Sequence, residues 1–288
     1  MDDAGFSDFN LNIAVVGLGL IGGSYAMALR GLNPRSICGI DREPGVVLEA
    51  LEAGIIDRGF TAGEKGLGDA DLIIMALYPR EMVEFLKENA EFFKDGAVIT
   101  DTCGIKRGII DQVGEFMPKS VDFIGGHPMA GKEKKGLQAA DKDLFRGTNY
   151  IITPVEKNRK ENVALIAGMA AAIGCGNVVS ISPEEHDRIV SLTSHLPHVI
   201  AVSLMNSCAA ENNLGLFTGG SFRDATRVAS INSTLWAQLF TLNSENLLEE
   251  IERFEESLGR IKLALISRDK EALNDMLASA SINKKNMA

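Results

Sequence analysis

The sequence predicts an α/β protein in two parts, a parallel sheet covered by helices over residues 1–155 and an all-α domain over residues 156–288. Three observations carry this. Short β-branched and apolar runs alternate with longer amphipathic stretches from Leu11 to about Pro154, the rhythm of βαβ units. A glycine-rich turn joins the first apolar run to the first amphipathic stretch. Beyond Pro154 the strand signal nearly vanishes, while helical periodicity continues to about Ala280.

Strands are predicted at residues 12–17, 36–41, 71–77, 97–101, 123–126 and 149–153, and helices at 20–30, 44–52, 79–93 and 106–116. In the second part, 156–173 reads as a helix and 177–180 as one more short strand. Pro183 then opens a helix at a position where its missing N–H costs nothing. Residues 199–209 (VIAVSLMNSCA) are apolar all round. Such a helix has to be buried on every side, and a small helical domain has few places for it. A subunit interface, and with it a homodimer, is therefore expected.

Composition narrows the function. Hydrophobic residues make up 45% and charged residues 24% of the 288, an ordinary globular balance that excludes a disordered or fibrous chain. With 29 Lys+Arg against 39 Asp+Glu the net charge is −10, which argues against nucleic acid or an anionic membrane as partner. The N-terminal MDDAGFSDFN is neither a signal peptide nor a basic transit segment, and no run approaches about 18 uninterrupted apolar residues. Cys38, Cys103, Cys175 and Cys208 are scattered, which suits reduced thiols in the cytoplasm, and no metal site is expected.

The glycine turn is Gly17-Leu18-Gly19-Leu20-Ile21-Gly22, between a strand and a helix, and Asp41 ends the next predicted strand nineteen positions later. In that order these features form a Rossmann dinucleotide-binding fingerprint. Gly17 permits the tight turn, Gly19 lets the backbone approach a pyrophosphate, and Gly22 lets helix and strand pack closely. Asp41 can accept both hydrogen bonds of a ribose diol and would repel a 2′-phosphate, favouring NAD over NADP. Arg42 complicates this, since a guanidinium there could stack on adenine or hold a 2′-phosphate. Leu77, Thr102 and Cys103, at the ends of later strands, complete the expected cofactor contacts.

A second group of residues carries acid–base and anion-binding chemistry. Gly125-Gly-His127-Pro-Met-Ala-Gly131 places His127 just past a strand's carboxyl end, where ligands sit in open α/β sheets. His195 and His198, three apart around Pro197, share a helical face and serve either as substrate hydrogen-bonders or as core histidines. His186, after Glu184 and Glu185 near a helix start, reads as a surface or capping residue. In Gly219-Gly-Ser-Phe-Arg223-Asp224-Ala-Thr-Arg227, one arginine can grip a carboxylate by two parallel hydrogen bonds while Asp224 orients it. Trp236 is core or pocket wall.

GLGLIGGS at 17–24, DTCGIK at 101–106, GGHPMAGKEKKG at 125–136, SHLPH at 194–198 and GGSFRDATR at 219–227, in that order over nearly the whole chain, resemble the prephenate/arogenate dehydrogenase family of tyrosine biosynthesis. The resemblance implies a Rossmann domain followed by a helical domain that interlocks two subunits. It also implies NAD-dependent oxidation of a ring C4 alcohol coupled to decarboxylation, turning prephenate into 4-hydroxyphenylpyruvate or arogenate into tyrosine. His127 is then the hydrogen-bonding base at C4. Arg227 holds a substrate carboxylate, His198 and His195 line the pocket, and Glu133, Arg223 and Asp224 contribute to its charged rim. Tyrosine, which resembles the substrate, is an expected inhibitor. At 288 residues the chain looks like the monofunctional form of the family. Many members carry serine where this chain has Gly104, so either Thr102 or Cys103 substitutes or His127 acts without that help. The substrate is a small dianion, expected to be drawn in by His127, Arg223 and Arg227 against an unfavourable overall charge.

Overall fold

The computed structural model describes residues 9–132, 134–208, 211 and 213–287. Strand β1 (Asn12–Val16) is buried on both faces because its side chains alternate between two cores. Ile13 and Val15 enter one core, Ala14 and Val16 the other. Helix α1 (Leu20–Arg30), strand β2 (Ser36–Ile40) and helix α2 (Pro44–Glu52) follow, the last opened by a proline in its first turn. A three-residue strand, β3 (Arg58–Phe60), was not legible in the sequence, because three residues are too few to show a period. Then come β4 (Leu72–Met75), α3 (Pro79–Glu88), β5 (Val98–Asp101), α4 (Arg107–Phe116), β6 (Asp122–Pro128) and β7 (Asn149–Thr153). Helix α3 stops short of the predicted residue 93, as Asn89 donates its side-chain amide to the Phe85 carbonyl at 2.8 Å and a 3₁₀ turn takes over.

Helix α5 (Lys160–Ala172) starts later than predicted. The Asn158 side chain accepts from the Val155 N–H at 2.7 Å, forming a turn, and the Asp122 carboxylate accepts from the Arg159 N–H at 3.0 Å. The helix therefore cannot extend back to residue 156. Strand β8 (Asn177–Ser180) pairs parallel to β7, so the sheet runs on past the expected boundary at 155/156 and carries α5 with it. The order is β3-β2-β1-β4-β5-β6-β7-β8. The first six strands in chain order are parallel, but β7 is antiparallel to β6. Helices α1, α2 and α5 cover one face, α3 and α4 the other.

The second part holds α6 (Pro183–Val190), a π-helical turn (Ser191–His195), α7 (Leu196–Ser207), α8 (Gly220–Thr226), α9 (Ser233–Leu242), α10 (Ser244–Ser267) and α11 (Lys270–Asn286). The π-turn joins α6 to α7 without a break. The joined helix, Pro183–Ser207, is long and apolar enough to cross a membrane by length and composition alone. His186, Asp187 and His195 on it are buried within the protein, while Glu184, Glu185 and Arg188 are exposed. Leu196 and Ala201 are the buried residues of α7, so much of its apolar surface is left uncovered by the described residues, and Ala209 lies outside them. Further along, Leu258, Leu263, Leu265 and Ile266 on α10 and Leu277 and Ile282 on α11 are exposed.

The sheet's crevice opens between β1 and β4, where the strand order reverses. A Cβ on Gly22 would stand 1.8 Å from the Gly17 carbonyl oxygen, so α1 reaches its strand only through glycine. Gly22→Ala is expected to cost about 2–4 kcal/mol, read as a melting temperature lowered by roughly 5–15 °C in a thermal denaturation scan.

Candidate active site

The dinucleotide fingerprint folds as its residue types require. Gly17 has φ +87°, and a Cβ there would lie 2.5 Å from the Ala76 carbonyl oxygen. Gly19 caps α1 with no side-chain hydrogen bond to the helix's first N–H groups, and nothing lies within 4 Å of where its Cβ would stand. Uncapped N–H groups, a positive helix end and open space above a glycine form a cradle that fits a pyrophosphate. Leu18 and Leu77 flank the turn. Asp41 accepts from the Leu18 N–H at 2.8 Å and the Glu43 N–H at 3.0 Å, which fixes its carboxylate beside the cradle. Arg42 projects into solvent with its guanidinium 3.6 Å from the Glu43 carboxylate.

The opposite wall is built around β6, which ends on His127 and Pro128. His127 is half-buried, and its Nδ1 lies 2.9 Å from Nε2 of His186. The other nitrogen of His186, Nδ1, lies 2.7 Å from Oδ1 of Asp187. The Asp187 carboxylate also accepts the Lys106 N–H at 2.8 Å and the Arg107 N–H at 2.9 Å, capping α4 from a different element. Lys106 is fully buried and pairs through Nζ with Asp101, which in turn accepts the N–H groups of Gly126 and Cys103. The segments 101–106 and 125–131 and helix α6 are thus one hydrogen-bonded unit.

His186 was expected at the surface or at a cap. Instead it is fully buried against His127. The acidic run EEHD concealed this, because three charged neighbours read as a solvated face while the helix turns only Glu184 and Glu185 outward. Asp187, Lys106 and Asn243 are further residues of the network that the sequence did not announce. Asn243 donates to the Asp187 carbonyl at 2.8 Å and lies 3.3 Å from Nδ1 of His195.

His195 and His198 do share a face, and both meet Trp236. His198 stacks on the indole with ring centroids 3.6 Å apart, while His195 meets it edge-on at 5.9 Å. His195 is buried and His198 partly exposed, so His198 and Trp236 form a wall beside the network. Helix α8 and the following 3₁₀ turn, Arg227–Ala229, pack against α7, the helix of His198. Arg223, Asp224 and Arg227 are exposed on this chain, and Glu133 lies outside the described residues.

At Gly104 a Cβ would make ordinary contacts, 3.6 Å from Leu239 and 3.8 Å from Cε1 of His127. The polar atoms of the neighbouring residues point elsewhere: Thr102 donates to the Met75 carbonyl at 3.4 Å and Cys103 to the Leu77 carbonyl at 3.5 Å. Burial pushes the Cys103 thiol far up, so it stays protonated. Among the described residues, this loop therefore presents neither a hydroxyl nor a thiolate to His127.

Desolvation, then the neighbouring His186, hold His127 well below the usual histidine value. A neutral imidazole suits a base, but it supplies no positive charge before it takes a proton. Burial also lowers His186, and it lowers His195 to about 4. Because the unfolded chain binds protons at these histidines from about pH 6.5 downward and the folded chain resists them, stability is whole above that pH and declines as pH falls. Urea denaturation midpoints should be flat above pH 7 and drop between about pH 6.5 and the His195 value of about 4.

Comparison with known proteins agrees with this architecture. The profile of the prephenate dehydrogenase nucleotide-binding domain matches residues 25–179, and that of the prephenate dehydrogenase dimerization domain matches residues 182–279. The chain is 37% identical to the prephenate dehydrogenase of Lactococcus lactis subsp. cremoris, over 91% of this chain and 73% of that one. It is 33% identical to the Bacillus subtilis prephenate dehydrogenase, over 91% and 72%. The crystal structure of Aquifex aeolicus prephenate dehydrogenase in complex with hydroxyphenyl propionate and NAD+ superposes with a TM-score of 0.88 at 31% identity, covering 96% of this chain and 98% of that one. Synechocystis arogenate dehydrogenase follows at a TM-score of 0.83 and 25% identity, covering 96% and 100%. With the fingerprint cradle, the His127 network and both domain profiles in agreement, this chain belongs to the prephenate dehydrogenase family.

Proposed function

We propose that the chain catalyses the NAD-dependent oxidative decarboxylation of prephenate to 4-hydroxyphenylpyruvate in tyrosine biosynthesis, in the cytoplasm and as a homodimer. One observation carries this: a dinucleotide cradle and a half-buried neutral imidazole stand at the same edge of the sheet, and among the described residues Nε2 of His127 has no partner. The ligands of the Aquifex aeolicus relative, hydroxyphenyl propionate and NAD+, support the choice of substrate and cofactor.

The segment Gly17–Gly22 and the α1 N-terminus would hold the cofactor's pyrophosphate, and Asp41 its ribose, with Leu77, Thr102 and Cys103 lining the nicotinamide side. When bound, NAD supplies a hydride acceptor for C4 of the substrate. His127 takes the C4 hydroxyl proton at Nε2. As C4 becomes a carbonyl, the electron pair of the C1–carboxylate bond flows into the ring and carbon dioxide leaves, and aromatisation makes the step irreversible. Arg227 holds a substrate carboxylate, with Arg223 and Asp224 on the rim and His198, His195 and Trp236 as the wall. Tyrosine, sharing the ring and side chain of an arogenate-type ligand, competes for the same pocket.

The direct test follows NADH absorbance with prephenate and arogenate offered separately; turnover of neither overturns the proposal, and turnover of arogenate alone reassigns the substrate. His127→Asn should lower kcat by about 10²–10⁴-fold, whereas Arg227→Ala should act mainly by raising KM.

The exposed leucines and isoleucines of α10 and α11 support the dimer, since burying each is worth about 1.5–3 kcal/mol. The pair Leu258→Glu and Ile266→Glu should shift the sedimentation mass from that of two chains to that of one.

A further inference from the structure

We propose that His186 and Asp187 are positioning residues that fix His127 in the tautomer carrying hydrogen on Nδ1, leaving a bare Nε2 to accept the substrate proton. The proposal rests on His127 being the base of the reaction described above.

The argument is a count of donors and acceptors along one chain of contacts. The Asp187 carboxylate receives two backbone N–H groups at the start of α4, one on each oxygen, so both oxygens act as acceptors. His186 Nδ1, 2.7 Å from Oδ1, must therefore carry the hydrogen and donate it. In a neutral imidazole only one nitrogen is protonated, so Nε2 of His186 is an acceptor. The single contact at 2.9 Å can then be made only by a hydrogen on Nδ1 of His127. Were His186 cationic, both its nitrogens would donate, and His127 would keep its hydrogen on Nε2, where no base could act.

The surroundings favour the first arrangement. His186 is fully buried and faces the Lys106 ammonium at the β5–α4 junction, and both disfavour a cation. Asp187 on its own helix, and Asp101 at the end of β5, act in the opposite sense; His127 on β6 and His195 at the end of the π-turn are the other titratable groups near.

The same contacts serve the proton transfer. The substrate O–H bond breaks and the Nε2–H bond of His127 forms, giving an imidazolium whose Nδ1–H points at His186. That proton can pass to Nε2 of His186, and the positive charge then rests against the Asp187 carboxylate. Loss of carbon dioxide leaves a phenolate at C4, and the proton returns through His127 to that oxygen, so no further acceptor is needed within the turnover.

Two measurements test this on the full chain. The imidazole ¹⁵N spectrum of the unmodified protein at pH 7.5 should show His127 with a protonated Nδ1 and a bare Nε2; the reverse tautomer overturns the proposal. This reading needs no turnover, so it stands apart from any failure to oxidise prephenate. In kinetics, His186→Met removes the acceptor and should lower kcat by roughly 10²-fold with KM for prephenate nearly unchanged. His186→Gln, which offers a carbonyl in place of Nε2, should restore most of the loss. Equal losses in the two folded variants, or unchanged kcat in His186→Met, would count against the role.

Discussion

The Asp187 carboxylate is the contact on which the active geometry depends. It sits on the first turns of α6 in the helical domain, yet its oxygens cap α4 of the sheet domain and steady His186 behind the imidazole of His127. Hydrogen bonds to a charged group are worth about 1.5–3 kcal/mol each, so one side chain supplies a substantial part of the docking between domains. Helix α9 adds a second tie, through Gln238, which accepts from the Arg80 N–H at 3.1 Å and donates to Glu81 at 3.0 Å. With both ties in place, the end of β6 faces the second domain in a fixed orientation.

A fully buried ion pair lies beneath this. Lys106 and Asp101 have no exposed surface, and removing one partner from such a pair typically costs about 3–5 kcal/mol. The pair sets the loop from β5 to α4, and that loop presents its N–H groups to Asp187 and its Gly104 to His127. Charge is thereby kept close to His127, whose own imidazole burial holds below the usual histidine value. Arg223 and Arg227 stand exposed on the surface of a protein whose net charge is −10.

The helical domain solves a different problem. A region with one long joined helix and two amphipathic ones cannot cover all its apolar surface from within, and the residue is displayed along α7, α10 and α11. The match of this region to a dimerization domain gives that surface its purpose. Apolar content that by length alone could pass for a membrane span is also of the kind that association between subunits covers.

What the sequence determined by itself was whatever depends on local periodicity and residue chemistry. The bounds of α1 and α2, the glycine turn with Gly17 at positive φ, Asp41 beside it, and His127 at a strand end were all legible, because each follows from a few neighbouring residues. The tertiary structure alone decided the rest. Strand β8 reads as a stray strand until it is seen to pair with β7, so the boundary between the parts could not be read from a change in texture. His186 sits among acids that suggest solvent, and it becomes part of the site only because α6 packs across the end of β6 and brings together residues 59 positions apart. Hydrogen bonds between elements so distant leave no period in the chain, and the surroundings of the His127 imidazole are made of them.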